Sequence, residues 1–198
     1  LVKALEKNGY QVHVACSEGP HARALAAQGH MVHFIPIERR ISPLSNMRSL
    51  LHLYRLIRQE RFDVVHVHTP VAAVLGRVAA YLAGVPVIMY TAHGFYFHDR
   101  MAEYKRRPLI WLERMLGRIT NVLFTQSKED AVTAARERIC PMERVVWIGN
   151  GVDLGKFQVS GREETREKLG IGEDERVVGF VGRMVREKGV VELMEAAE

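Results

Sequence analysis

The sequence predicts an α/β domain built on a doubly wound, parallel, Rossmann-like sheet. Three observations predict it. Short runs rich in Val, Ile and Leu alternate with segments of helical periodicity along the first 150 or so residues. The connections are short, and many carry Gly or Pro. Several candidate strands are near-continuous apolar runs, as strands buried on both faces are.

Taken in order, Leu1 to Asn8 reads as the end of an amphipathic helix, with Gly9 at its C′ position. Tyr10 to Cys16 alternates as a strand. His21 to Gln28 is a short helix closed by Gly29, and Met31 to Ile37 is the next strand. Ile41 to Leu44 is a loop around Pro43. From Asn46 the pattern is helical, with Met47, Leu50, Leu51, Tyr54 and Ile57 on one stripe. Asp63 to His68 is a strand, and Val71 to Ala83 a small-residue helix stopped by Gly84 and Pro86. Val87 to Thr91 is a strand. Leu109 to Ile119 is a helix with Pro108 at its start, where a missing N–H costs little. Asn121 to Thr125 is a strand, and Ser127 can cap a helix running to about Ile139, with Asp130 in the capping-box place. Val145 to Ile148 is the last strand of this series, and Gly149 to Asp153 a loop.

Beyond Asp153 the composition turns polar and glycine-rich. Residues 154–176 read as a linker holding one short helix, Glu163 to Leu169. Val177 to Val181 reads as a strand and Val190 to Ala197 as a helix, the first βα unit of a second domain. The expected organisation is therefore 1–153, a linker at 154–176, and 177–198. A lone βα unit cannot bury its own apolar faces, so this region is expected to be incomplete.

The 198-residue chain carries a formal net charge of +5. Part of the excess is local: Arg39 and Arg40, then Lys105 to Arg107, then Arg114 and Arg118. Such clusters favour anionic partners or are simply solvated. Interleaved aromatics on strands are lacking, so nucleic acid is not an expected partner. No stretch reads as the roughly 18 consecutive apolar residues of a spanning helix. Cys16 and Cys140 have no motif spacing, so an oxidising compartment is not implied, and a cytoplasmic location is the default expectation.

The residues with chemistry gather after strands. His68, Thr69 and Pro70 follow one, His93 and Gly94 a second, Gln126 and Ser127 a third, Asn150 and Gly151 a fourth, and Gly182 and Arg183 a fifth. Ligands of open α/β sheets bind at the carboxyl ends of the strands, so a shared cleft is expected. The segment Tyr90 to Asp99 puts His93, Gly94, three aromatics, His98 and Asp99 into ten residues, which a structural loop rarely needs. His66 and His68 lie on one face of a strand and, with His93 and His98, offer a zinc reading. No Cys, Asp or Glu completes such a set at recognisable spacing, so no metal is expected. Ser127 reads as a helix cap rather than a nucleophile, since it lacks the Gly-x-Ser-x-Gly elbow. Arg183 and Lys188 flank a strand-to-helix turn and suit a diphosphate; a solvated basic turn with Glu187 as counter-ion is an equal reading of the residues alone. Neither Walker A nor Gly-x-Gly-x-x-Gly is present.

Taken together, these stretches resemble the retaining glycosyltransferases of family four, which have the two-domain GT-B fold. Gly9 to Val14 is similar to that family's second strand with its glycine, and Asp63 to His68 to its Asp-hydrophobic-His-x-His strand. Thr91 to Phe95 resembles its His-Gly active-site segment. Asn150-Gly151-Val152-Asp153 with Phe157 resembles its entry to the C-terminal domain, and Gly182-Arg183 with Lys188-Gly189 its phosphate motif. The resemblance implies an N-terminal acceptor-binding domain at 1–153 and the start of a nucleotide-sugar-binding domain at 177–198. It implies a donor, commonly UDP-linked, whose diphosphate is held by Gly182, Arg183 and Lys188, with His93 at the reacting centre and no metal or cofactor needed. His68, Thr69, Gly94, Ser127, Asn150 and Gly151 would line the cleft. It also implies a saccharide or lipid-linked acceptor. The basic helix region Lys105 to Arg118, with Leu109, Ile110, Trp111 and Leu112, could touch an anionic membrane from the cytoplasmic side or a phosphorylated lipid acceptor, but a core-packed helix with a basic outer edge is the preferred reading.

The family's glycine-rich loop would precede Leu1, and its Glu-x7-Glu segment would follow Glu198. The chain is therefore expected to be a fragment with little activity of its own. A UDP-sugar epimerase of the same architecture, a metal-dependent hydrolase using His66, His68 and His93, and a non-catalytic sugar-phosphate binding module are the rival readings.

Overall fold

In the computed structural model, which describes residues 1–38, 42–99, 101–157 and 160–197, helix and strand alternate as the sequence predicts. Arg39, Arg40 and Ile41, and Gln158 at the head of the polar stretch, lie outside the described residues. The order is α1 (Val2–Lys7), β1 (His13–Cys16), α2 (Pro20–Ala27), β2 (Met31–Phe34), α3 (Pro43–Glu60), β3 (Val64–His68), α4 (Pro70–Ala83) and β4 (Val87–Ala92). Then come α5 (Glu103–Gly117), β5 (Val122–Thr125), α6 (Lys128–Arg136) and β6 (Val145–Trp147). The backbone forms two units, Leu1–Gly151 and Val152–Glu198.

All strands of the first unit pair in parallel. β1 pairs with β2, and β3, β4, β5 and β6 form a second sheet in sequence order. The register aligns His68 with Thr91, Ala92 with Thr125, and Thr125 with Trp147. The carboxyl ends of four strands therefore lie side by side, where open α/β sheets bind ligands.

The pleat sends alternate residues to opposite faces of the larger sheet. One face buries Val67, Ile88, Tyr90, Ala92 and Leu123 against Ala73, Ala79, Ile110 and Ala134 of the helices. Burying each large aliphatic side chain is worth about 1.5–3 kcal/mol. The opposite face carries Val64, His66, Met89, Val122 and Phe124, which keep part of their surface exposed. Two glycines allow close approach, Gly76 of α4 to strand β3 and Gly117 of α5 to the segment that follows α6. A Cβ on Gly76 would sit 2.5 Å from Val67 Cγ1, and one on Gly117 would sit 1.8 Å from the carbonyl oxygen of Ile139.

A buried ion pair ties α4 to α5. Arg77, 1% exposed, donates to Glu113 Oε2 at 2.9 Å and to the Ala73 carbonyl at 3.0 Å, with its guanidinium 4.3 Å from the centre of the Tyr90 ring. Both cysteines are free thiols.

Several boundaries differ from expectation. α5 begins at Glu103, so Pro108 lies inside the helix rather than at its start. The carbonyl that Pro108 cannot bond belongs to Tyr104, whose residue is 74% exposed and open to water. α3 begins at Pro43 rather than Asn46, with the ring preset for the first helical position. α6 ends at Arg136 rather than Ile139, because the chain turns through Arg138 at φ 48°. Asn121 lies just outside β5, yet its side chain accepts from the Ile88 N–H at 2.7 Å and its own N–H donates to the Ile88 carbonyl at 2.8 Å.

The second unit holds α7 (Arg162–Leu169) and α8 (Val190–Glu195). The strand expected at Val177 to Val181 is not formed among the described residues. Val178 and Val181 are 78% and 102% exposed, and a strand exists only through a ladder partner and a surface to pack on. Lys188 closes a single 3-10 turn, Arg186–Lys188, and Gly189 at φ 71° leads into α8. The lysine thus stands just before the helix, not on it.

Candidate active site

β3 ends at His68, and the next residue bends the chain sharply into α4. Thr69 holds φ 61° and ψ 145°, a conformation that suits glycine and is strained for a β-branched residue. Pro70 follows at the first helical position. The turn leaves His68 at the sheet's edge and Thr69 exposed. β4 ends at Ala92, so His93 emerges exposed beside His68, and Gly94 turns the chain away at φ 102°.

Each nitrogen of the His93 ring has a partner. Nδ1 lies 2.8 Å from Gln126 Oε1, and Nε2 lies 3.1 Å from His68 Nδ1. Behind them, His66 Nε2 lies 2.8 Å from the hydroxyl of Thr91, which is buried. The His66 and His68 ring centres are 4.3 Å apart, and those of His68 and His93 5.4 Å. Phe124 closes the inner side, its ring 5.6 Å from His66. Burial, then the neighbouring His66 and His93, depress His68 to about 4, so it stays neutral near pH 7. His66 is lowered for the same reasons, burial first and His93 second.

The loop beyond His93 is anchored. Phe97 is 4% exposed and stacks on Phe95 at 5.1 Å. Asp99 meets Arg106 of α5 at 3.4 Å and Arg136 of α6 at 3.1 Å. Tyr96 between the two phenylalanines is turned outward and exposed.

The other expected site residues divide. Ser127 accepts the Asp130 N–H at 2.9 Å and donates its hydroxyl to Asp130 Oδ2 at 2.8 Å, so it caps α6 as expected. Asn150 and Gly151 are exposed beyond β6. Gly182, Arg183 and Lys188 are exposed within the second unit. Among the described residues, no group of three or more His, Cys, Asp or Glu is placed to hold a metal. Of the histidines named for zinc, His68 Nδ1 faces His93 Nε2 and His66 Nε2 faces the Thr91 hydroxyl.

The sequence marks Gln126 as a residue after a strand and Thr91 as the start of the His-Gly segment, but their bonds to His93 and His66 were not foreseen. The signal was present: Gln126 is the first residue after β5, in line with His93 after β4. A carboxamide there looks unremarkable until the parallel register brings it against the imidazole.

This geometry coincides with similarity to known proteins. The family model for Glycosyltransferase Family 4 matches residues 1–156. A UDP-Gal:alpha-D-GlcNAc-diphosphoundecaprenol alpha-1,3-galactosyltransferase of Escherichia coli is 32% identical over 98% of this chain and 51% of its own length. Two crystal structures share the fold. A glycosyltransferase from Rickettsia africae superposes with a TM-score of 0.73, 16% identity, and coverage of 98% of this chain and 50% of its own. Anabaena Alr3699/HepE, in complex with UDP and glucose, gives 0.69 with 18% identity, covering 91% of this chain and 48% of its own. The chain spans about half the length of the curated relatives it matches. By the match over most of its length, the chain belongs to Glycosyltransferase Family 4.

Proposed function

We propose that this chain is the acceptor-side half of a glycosyltransferase. The enzyme moves a sugar from a nucleotide-sugar, UDP-linked as in the Escherichia coli relative, to a saccharide or lipid-linked acceptor, with retention of configuration. The product belongs to surface polysaccharide or glycolipid synthesis. The observation that carries the reading is His93-Gly94 at the carboxyl end of β4, its imidazole held between His68 and Gln126. Donor binding is assigned to Gly182, Arg183 and Lys188. The two cations neutralise a leaving diphosphate electrostatically, which needs no metal. His93 serves the reacting centre, with His68, Thr69 and Gly94 shaping the acceptor side.

The same reading puts the outer face of α5 at an anionic membrane surface, on the cytoplasmic side. Tyr104, Arg107, Trp111 and Met115 are exposed at helical spacing. The charge available there is smaller than the sequence suggests. Arg106 and Arg114 turn to Glu137 at 2.6 and 3.5 Å, and Arg107 meets Glu103 at 3.4 Å. Among the described residues no helix is long and apolar enough to cross a membrane.

The test is sugar transfer by the enzyme extended to the length of its relatives. It is assayed with UDP-sugars and a diphospholipid-linked amino-sugar acceptor. Acceptor-dependent release of UDP with a lengthened glycolipid supports the proposal. Conversion of the UDP-sugar to an epimer without acceptor replaces it with the epimerase reading.

A further inference from the structure

The two bonds that end on His93 differ in kind. A carboxamide oxygen can only accept a hydrogen bond. Gln126 Oε1, 2.8 Å from Nδ1, therefore requires a proton on that nitrogen. A neutral His93 then has a bare lone pair on Nε2, the nitrogen 3.1 Å from His68 Nδ1.

We propose that Gln126 is a positioning residue for His93. It holds the imidazole in the Nδ1–H form, so that Nε2 is the nitrogen through which the ring takes and returns a proton, with His68 Nδ1 as its exchange partner. The proposal rests on the reading of His93 as the residue at the reacting centre.

The pair of rings balances as a one-proton unit. With both neutral, His68 Nδ1–H donates to His93 Nε2. When a proton arrives on His68 Nε2, the shared proton crosses to His93 Nε2, and His93 becomes the cation with both of its N–H groups bonded. His68 is then left neutral, protonated on Nε2. No bond other than N–H forms or breaks. The depressed basicity of His68 agrees with this, since it disfavours charge on that ring.

Gln126 is built to hold its place. Its main-chain oxygen accepts the indole N–H of Trp147 from β6 at 3.3 Å. The next residue, Ser127, is fixed as the cap of α6. The carboxamide thus projects from backbone held on both sides. Tautomer choice by the hydrogen bond on the far nitrogen is a general property of functional histidines.

The test is two-bond 1H–15N correlation spectroscopy of the histidine rings in the 198-residue chain, near pH 8, with His93 assigned by loss of its signals in His93→Gln. The expected result is an Nδ1–H signature for His93. It should persist in Gln126→Glu, which keeps an acceptor oxygen, and change to Nε2–H or a mixture in Gln126→Met. An Nε2–H signature in the unaltered chain overturns the proposal, and so does a tautomer indifferent to Gln126→Met. The spectrum of the unaltered chain decides this even if a variant fails to fold. In the full-length enzyme, Gln126→Met should lower kcat about tenfold or more, with Gln126→Glu recovering part of it. Unchanged kcat in Gln126→Met overturns the positioning role. Absence of sugar transfer by the unaltered enzyme instead removes the glycosyltransferase reading and leaves the tautomer assignment standing.

Discussion

His68 Nδ1 and His93 Nε2 face each other at 3.1 Å, on strands whose register pairs His68 with Thr91. Two imidazoles this close cannot both carry charge at modest cost, and the more buried one gives way. His68, held to about 4 by burial and by its two histidine neighbours, stays neutral in the folded protein while an unfolded histidine protonates near 6.5.

A pH dependence of stability follows. Between about 6.5 and 4 the unfolded chain binds a proton that the native His68 refuses. Its contribution is therefore complete above pH 6.5 and is lost as pH falls toward 4. His66, lowered in the same direction, acts with it. Urea midpoints should fall from pH 7.5 to pH 5, and His68→Gln should flatten that fall. A slope unchanged by the substitution would show that other groups carry it.

Thr69 holds a strained backbone at the mouth of the site. Its φ of 61° with ψ of 145° costs on the order of 1–3 kcal/mol. Glycine adopts this conformation freely, at an entropic cost of roughly 0.5–1 kcal/mol. Thr69→Gly should raise stability by about 1 kcal/mol in urea titration. Loss of stability would mean that contacts of the threonine outweigh its strain.

Arg77 and Glu113 form the buried pair whose disruption should be felt most. Glu113→Gln leaves the guanidinium without a countercharge in the core, at a cost of about 3–5 kcal/mol. Arg77→Met combined with Glu113→Leu should recover much of that. Denaturant unfolding of the single and double variants measures it. A double variant as weak as the single one would place the loss in packing rather than in the stranded charge.

The order of elements was readable because each rests on local pattern. β3 and β4 fall within a residue of expectation, and Ser127 caps α6 through the Asp130 N–H. What sequence could not supply depends on pairing. The division into two sheets, the missing strand at Val177 to Val181, and the contact between Gln126 and His93 are set by residues far apart in the chain. Pro108 was misplaced because a proline is a good first residue of a helix, and only the exposure of Tyr104 makes an interior one tolerable here. His93 itself was legible from composition. Its partners His68 and Gln126 were named as residues after strands, but their bonds to it were not legible, because the strand register alone brings them together.

The central claim is that His93 acts at the reacting centre of a sugar transfer. The direct measurement is the rate of sugar transfer by His93→Ala in the full-length enzyme, with circular dichroism and the urea midpoint taken on the same sample. The account predicts a fall of roughly a hundredfold or more with the fold intact, the scale of losing a group that serves the reacting centre. Transfer at the unaltered rate, in a protein with an unaltered midpoint, would contradict it.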